Sequence, residues 1–221
     1  MPRKSRIDVP GALHHVIGRG IDRSKIFLDD DDRDDFLQRL AANLKRTKTT
    51  CYAWALLPNH FHLLLKTGSA PISGLMRRLL TGYAVTFNLR HKRHGHLFQN
   101  RYKSILCQED AYLLELVRYI HLNPLRAGLV ESCAELCRYP YCGHRGILGR
   151  HIVQWQDADY ILGLFHKKAG LARRKYKEFV EEGGAVGRRS DLVGGGLVRS
   201  YGGWDELKAM GKSGEYRKGD E

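Results

Sequence analysis

The sequence is short of what a membrane or secreted protein needs. Its wholly apolar runs are a handful of residues long, against the roughly 20 that cross a bilayer, so a membrane-spanning helix is excluded. Met1–Pro10 is charged with no apolar segment behind it, so no secretory signal is expected and the reading is cytoplasmic. Cysteine is scarce, and its count of five is odd, which argues for reduced thiols over a disulfide framework. Cys133, Cys137 and Cys142 cluster, but their spacing is not a standard zinc pairing. Acidic residues are in deficit too: 24 Asp and Glu face 37 Lys and Arg, a formal charge of +13. A soluble chain this basic most often has a polyanionic partner, nucleic acid first. Hydrophobic residues, at 43%, still suffice to bury one sizeable core, which excludes a disordered chain or a fibre.

The charge is unevenly placed. Between Lys66 and Leu106 stand eight Lys and Arg and no acidic residue, with His91, His94 and His96 among them. A merely solvated face would mix both signs. Asp29 to Asp35 is the opposite, six Asp in seven residues. Those carboxylates precede a helical pattern (Phe36, Leu37, Leu40, Leu44) and suit the positive end of a helix dipole.

Periodicity predicts strands over Leu13–Ile21, Cys51–Leu57, His60–Thr67 and Arg101–Gln108, the middle pair joined by Pro58-Asn59. It predicts helices over Asp31–Lys45, Pro71–Arg90 and Asp110–Leu122, the last stopped by Asn123-Pro124. The order βαββαβ points to an α+β fold, a ferredoxin-like or RRM-like antiparallel sheet with helices on one face. Residues 1–150 are expected to form this domain and 151–221 a helical and Gly-rich extension. Two short helices are expected there, Asp157–Lys168 and Leu171–Glu182. Gly183–Gly203 holds eight Gly in 21 residues, reads as a linker, and leads to a weakly structured tail past Trp204.

Two places carry chemistry. On a strand, His60, His62 and Leu64 share one face while Phe61, Leu63 and Leu65 share the other. Two imidazoles side by side on an apolar strand can hold a divalent metal, although structural pairs of this kind are common. On the later helix, Leu113, Leu116, Val117 and Ile120 form a core stripe, with Tyr112, Tyr119 and Asn123 along one flank. Tyr119 and Asn123 are four apart and stack one turn from each other.

These motifs together resemble a known family. The run Leu57-Pro58-Asn59-His60-Phe61-His62-Leu63-Leu64, the basic helix after it, Leu97–Tyr102, and Arg118-Tyr119-Ile120-His121-Leu122-Asn123-Pro124 continuing to Val130 are similar to the one-tyrosine HUH transposases. They look most like the REP-associated tyrosine transposases, over about residues 7–150. The resemblance implies His60 and His62 as metal ligands and Tyr119 as nucleophile. It also implies Asn123 as third ligand, with His121 as its rival, since many relatives carry Gln there. The implied cofactor is Mg²⁺ or Mn²⁺, and the implied partner is single-stranded or hairpin DNA, with no membrane and either a monomer or a homodimer. The reaction would be cleavage and rejoining of one DNA strand through a 5′-phosphotyrosine link. A phenol of pKa about 10 needs help from a base or cation to attack at neutral pH, and a covalent intermediate lets the strand be rejoined without ATP. Arg77, Arg78, Arg90, Lys92, Arg93 and Arg101 are candidates for phosphate contacts. The alternatives are a catalytically silent hairpin-binding regulator, an RNA-binding module of RRM type, and a zinc-stabilised interaction protein. The second lacks the aromatic strand run such a module needs.

Overall fold

The computed structural model describes residues 10–107 and 109–185. Most of the expected Gly-rich linker and the whole tail past Trp204 lie outside the described residues. Four strands, β1 (Leu13–Arg19), β2 (Thr50–Leu57), β3 (His60–Lys66) and β4 (Lys103–Cys107), make one antiparallel sheet in the order β2-β3-β1-β4. Helices α1 (Asp30–Thr47) and α2 (Ile72–Arg90) supply the two crossovers, which gives the expected ferredoxin-like topology. Strand β1 ends two residues earlier than its apolar pattern suggests. The chain turns there into a single 3₁₀ turn, and Asp22 and Arg23 take left-handed φ values of 48° and 59°, outside any strand.

Register decides which side chains meet. His15 lies opposite Leu64, Ile17 opposite His62 and Arg19 opposite His60. Gly18 pairs with Phe61, and a Cβ at Gly18 would sit 2.4 Å from the Phe61 ring, so only glycine lets that ring lie flat over β1. Phe61, Leu63 and Leu65 then pack with Phe36 and Leu40 of α1 and Leu75, Leu79 and Tyr83 of α2.

The six Asp residues do more than offset a dipole. Asp29 caps α1 by accepting from Asp32 N, as the dipole argument expects. In addition, Arg90 at the end of α2 bonds Asp29 and Asp32 through Nη1, each at 2.6 Å, and Asp31 through Nη2 at 2.7 Å. Arg90's hydrogen bond holds the Asp29 carboxyl below the usual carboxylate range. The acidic run therefore ties α1 to α2.

The other face of the sheet is covered as well. Helix α3 (Glu109–His121) lies against β2 and β3, and its stripe Leu113, Leu116, Val117 and Ile120 is buried there. Short helices α4 (Asn123–Arg126), α5 (Cys133–Leu136), α6 (His144–Ile147) and α7 (Ala158–Gly163) follow, then α8 (Ala169–Glu182). Ile161, Leu162, Ala172, Tyr176 and Val180 share one hydrophobic cluster with α3, so this packing runs past residue 150 without a break. Helix α7 is shorter than its periodicity suggests because the backbone turns after it, where Lys168 N bonds His166 Nδ1 at 2.9 Å.

A buried polar joint holds α8 to α3. The Tyr176 hydroxyl lies 2.7 Å from both His121 Nδ1 and His144 Nδ1. One hydroxyl donates once, so it gives its proton to one ring and accepts from the other, which requires complementary neutral tautomers. Burial, aided by Arg150 and Lys177, lowers His144 to about 4, and burial and His144 push His121 well below its ordinary value. As pH falls below about 6.5 the unfolded chain protonates these imidazoles before the folded one does, so stability drops until about pH 4. Urea midpoints are therefore expected to fall between pH 7.5 and pH 4.5; a flat profile would show that neither ring is held neutral.

Candidate active site

Strand β3 opens with His60 directly after the Pro58-Asn59 turn, which leaves His60 half-buried and carries His62 beneath α3. The two rings stand 5.1 Å apart, centre to centre. Tyr119, on the last turn of α3, brings its ring to 5.9 Å from His62. Thus the His pair and the tyrosine, almost sixty positions apart in sequence, meet on the second face of the sheet.

A third histidine completes the cluster. His15 of β1 lies across the register from this pair, its Nε2 2.9 Å from His62 Nδ1 and its ring 6.0 Å from Tyr119. Sequence reasoning missed it. The signal was the pair His14-His15 within a strand pattern, but only the pairing of β1 with β3 selects His15, because His14 turns to the other side and bonds Ser104 Oγ at 2.9 Å.

Hydrogen bonds to the two rings decide which nitrogen of each stays open. Asn59 Oδ1 can only accept, so His60 Nδ1 donates to it at 2.7 Å and the Nε2 lone pair stays available. His62 Nδ1 lies 2.9 Å from His15 Nε2, one donating and the other accepting; in the tautomer that protonates His62 Nδ1, its Nε2 is kept for a ligand. Outer partners on the far nitrogen orient metal-binding imidazoles in this way. Both rings are neutral at physiological pH: burial, with Arg19 nearby, lowers His60 to about 4, and burial together with His15, His60 and Arg19 takes His62 well below its ordinary value. Neutral imidazole is the ligating form.

Asn123 and His121 part company. Asn123 Nδ2 donates to the Tyr119 carbonyl at 2.9 Å, which leaves Oδ1 as the amide atom open to a cation. His121 instead points into the joint with Tyr176 and His144. Donor chemistry therefore fits a divalent ion held by two imidazoles and an amide oxygen, with positions left for phosphate and water. Arg126 of α4 lays its guanidinium over the Tyr119 ring at 5.3 Å.

Among the described residues, the one group of three or more His, Cys, Asp or Glu whose ligand atoms come close enough to hold a metal is Asp29, Asp32 and His91; the histidines around Tyr119 do not form such a group by themselves. Arg90 already occupies it, and His91 Nε2 lies 2.8 Å and 3.0 Å from the two Asp32 oxygens. The late cysteines do not converge on an ion; Cys137 Sγ lies 3.5 Å from His144 Nε2, and Cys142 is buried against the His121 carbonyl.

The basic candidates divide. Arg77, Arg78, Lys92 and Arg101 are exposed. Arg93 is half-buried over the Phe87 ring, and Arg90 is bound to three aspartates. Tyr102 is buried in the first core and Tyr112 lies at the edge of the second.

The profile of the family described as "Transposase IS200 like" matches residues 9–123. A solved REP-associated tyrosine transposase bound to a REP hairpin superposes with a TM-score of 0.55 at 17% identity, over 71% of this chain and 90% of that one. At that identity the likeness speaks for the fold alone. A Deinococcus radiodurans R1 protein described as a transposase gives 0.38 at 20% identity, over 54% of this chain and 95% of that one, and carries no argument. No curated protein matches the sequence.

Proposed function

This chain belongs to the IS200-like transposase family, and from that premise we propose that it cleaves and rejoins one strand of hairpin-bearing DNA in the cytoplasm, with Tyr119 as nucleophile. The observation that carries the reading is the approach of Tyr119 to His62, whose partner His60 keeps a free Nε2 lone pair. In the proposed reaction the Tyr119 oxygen attacks a phosphodiester, the P–O3′ bond breaks, and the departing oxygen takes a proton to become a 3′-hydroxyl. A 5′-phosphotyrosine link conserves the bond energy, and attack by a 3′-hydroxyl reverses the step. His60, His62 and Asn123 would hold Mg²⁺ or Mn²⁺. When bound, the ion polarises the scissile phosphate and offsets charge in the transition state. His15 orients His62, and the Arg126 guanidinium lies over the Tyr119 ring. The test is a denaturant-resistant adduct on a labelled hairpin with a 5′ single-stranded flank.

Affinity is assigned to Arg77, Arg78, Lys92, Arg93 and Arg101; Arg90 drops out because its charge is already matched. Replacing Arg77 and Arg78 with Ala is expected to weaken binding to all DNA sequences alike. The slope of log affinity against log salt should shrink by about one unit per lost contact. An unchanged slope in a salt titration would place both arginines off the DNA.

A further inference from the structure

A groove of about 850 Å³ runs between α2 and the segment Gly95–Tyr102. Its size falls in the range of small-molecule sites, roughly 300–1,000 Å³. We propose that it receives one unpaired nucleotide of the DNA strand, its base against Phe98 and the apolar flank of α2, with neighbouring phosphates at Arg77 and Arg101. This rests on the reading above that the partner is DNA, and adds a second subsite to it.

Three observations support that occupant. First, the lining holds no acidic residue; its formal charges are Arg77 and Arg101, both exposed, so the groove suits an apolar ring flanked by anions. Second, the floor and walls have the chemistry of a base site. Met76, Leu80 and Val85 are apolar, and Val85 stands 54% exposed. Phe98 is half-buried and offers an aromatic surface, while the exposed amides of Gln99 and Asn100 stand at the mouth. A side-chain amide can donate and accept at once, as a base edge does. Aromatic stacking together with a basic track is how single strands are held.

Third, the groove joins the candidate active site through the backbone. Ile21 N donates to Leu97 O at 3.0 Å and Gln99 N to Arg19 O at 3.0 Å, and Gly20 bridges to Phe98. Arg19 is the register partner of His60. The groove lies on the α2 face of the sheet and the His pair on the α3 face, so a strand leaving the His pair rounds the end of β1 to meet the groove. The outer wall is also fixed from α2, because Asn88 Nδ2 donates to Gly95 O at 2.9 Å, where Gly95 takes a left-handed φ of 87°.

The experiment is an abasic scan. Each nucleotide flanking a labelled hairpin is replaced in turn by an abasic unit, which removes the base and keeps the phosphate. Binding is measured for wild type and for Thr81→Trp, an exposed α2 position in the groove lining where an indole fills the space. One abasic position is expected to weaken wild type by about tenfold or more. Thr81→Trp should show that loss on intact DNA and no further loss at that position. The inference is overturned if no position costs more than twofold, or if the same penalty persists in Thr81→Trp. It is also overturned if Thr81→Trp converts a dimer to a monomer in sedimentation, which would make the groove a contact with a second copy. Adduct formation is scored separately: a base effect without an adduct removes the chemistry and keeps the groove, an adduct without a base effect does the reverse, and no DNA binding at all removes both.

Discussion

Tyr119→Phe should abolish the denaturant-resistant protein–DNA adduct while hairpin binding persists. The substitution removes a single oxygen from a side chain at the edge of the second core, only 7% exposed, so the ring packing over His15 and His62 is kept. Loss of one hydroxyl costs about 1 kcal/mol of stability as a net hydrogen-bond contribution, too little to unfold the chain. Tyr112→Phe is the matched control. Tyr112 shares the flank of α3 but lies seven residues earlier, roughly 10 Å along the helix at 1.5 Å per residue. Adduct surviving in Tyr119→Phe and vanishing in Tyr112→Phe would reassign the nucleophile. If wild type gives no adduct with any hairpin, the silent-regulator reading takes its place.

The second large effect concerns the histidines. His60→Ala should end cleavage and leave hairpin affinity near wild type, since affinity comes mainly from phosphate contacts by Lys and Arg. Chelating divalent ions should do the same, and added Mn²⁺ should restore cleavage in wild type but not in His60→Ala. His60 is half-buried, and among the described residues its side chain hydrogen-bonds its neighbour Asn59 alone, so this variant is the clean one. His62→Ala should also abolish cleavage, at a cost in stability of about 1–3 kcal/mol, because His15 loses a buried partner. His15→Leu, a position outside the His60–His62 motif, is expected to lower metal affinity or activity by about 10–100-fold through the misplaced His62 ring. Wild-type cleavage rates in His60→Ala under Mg²⁺ would make the pair structural.

Local patterns wrote much of this protein into its sequence. The alternation of His60 to Leu65 set both faces of β3, because side chains on a strand alternate whatever lies around them. The spacing of Leu113, Leu116, Val117 and Ile120 fixed the buried stripe of α3 and with it the flank that carries Tyr119 and Asn123. Turn and stop signals at Pro58-Asn59 and Asn123-Pro124 placed the element ends, since they act within a few residues. The paired motifs also carried the resemblance to the family that the profile match bears out.

Only tertiary structure decided what depends on partners far away in the chain. His15 joins the cluster through the register of β1 on β3, and a shift of one residue would have presented His14 instead. Helices α3 to α8 close the second face of the sheet, which is why His62 is buried and neutral where an open strand would leave it wet. Periodicity could not separate Asn123 from His121; the hydroxyl of Tyr176, 55 residues on, draws His121 into the core and leaves Asn123 beside Tyr119. Net charge could not tell Arg90 from Arg77 either. One meets three aspartates folded against it and the other meets solvent, because a count of charges says nothing of which opposite charge the fold brings within hydrogen-bond distance.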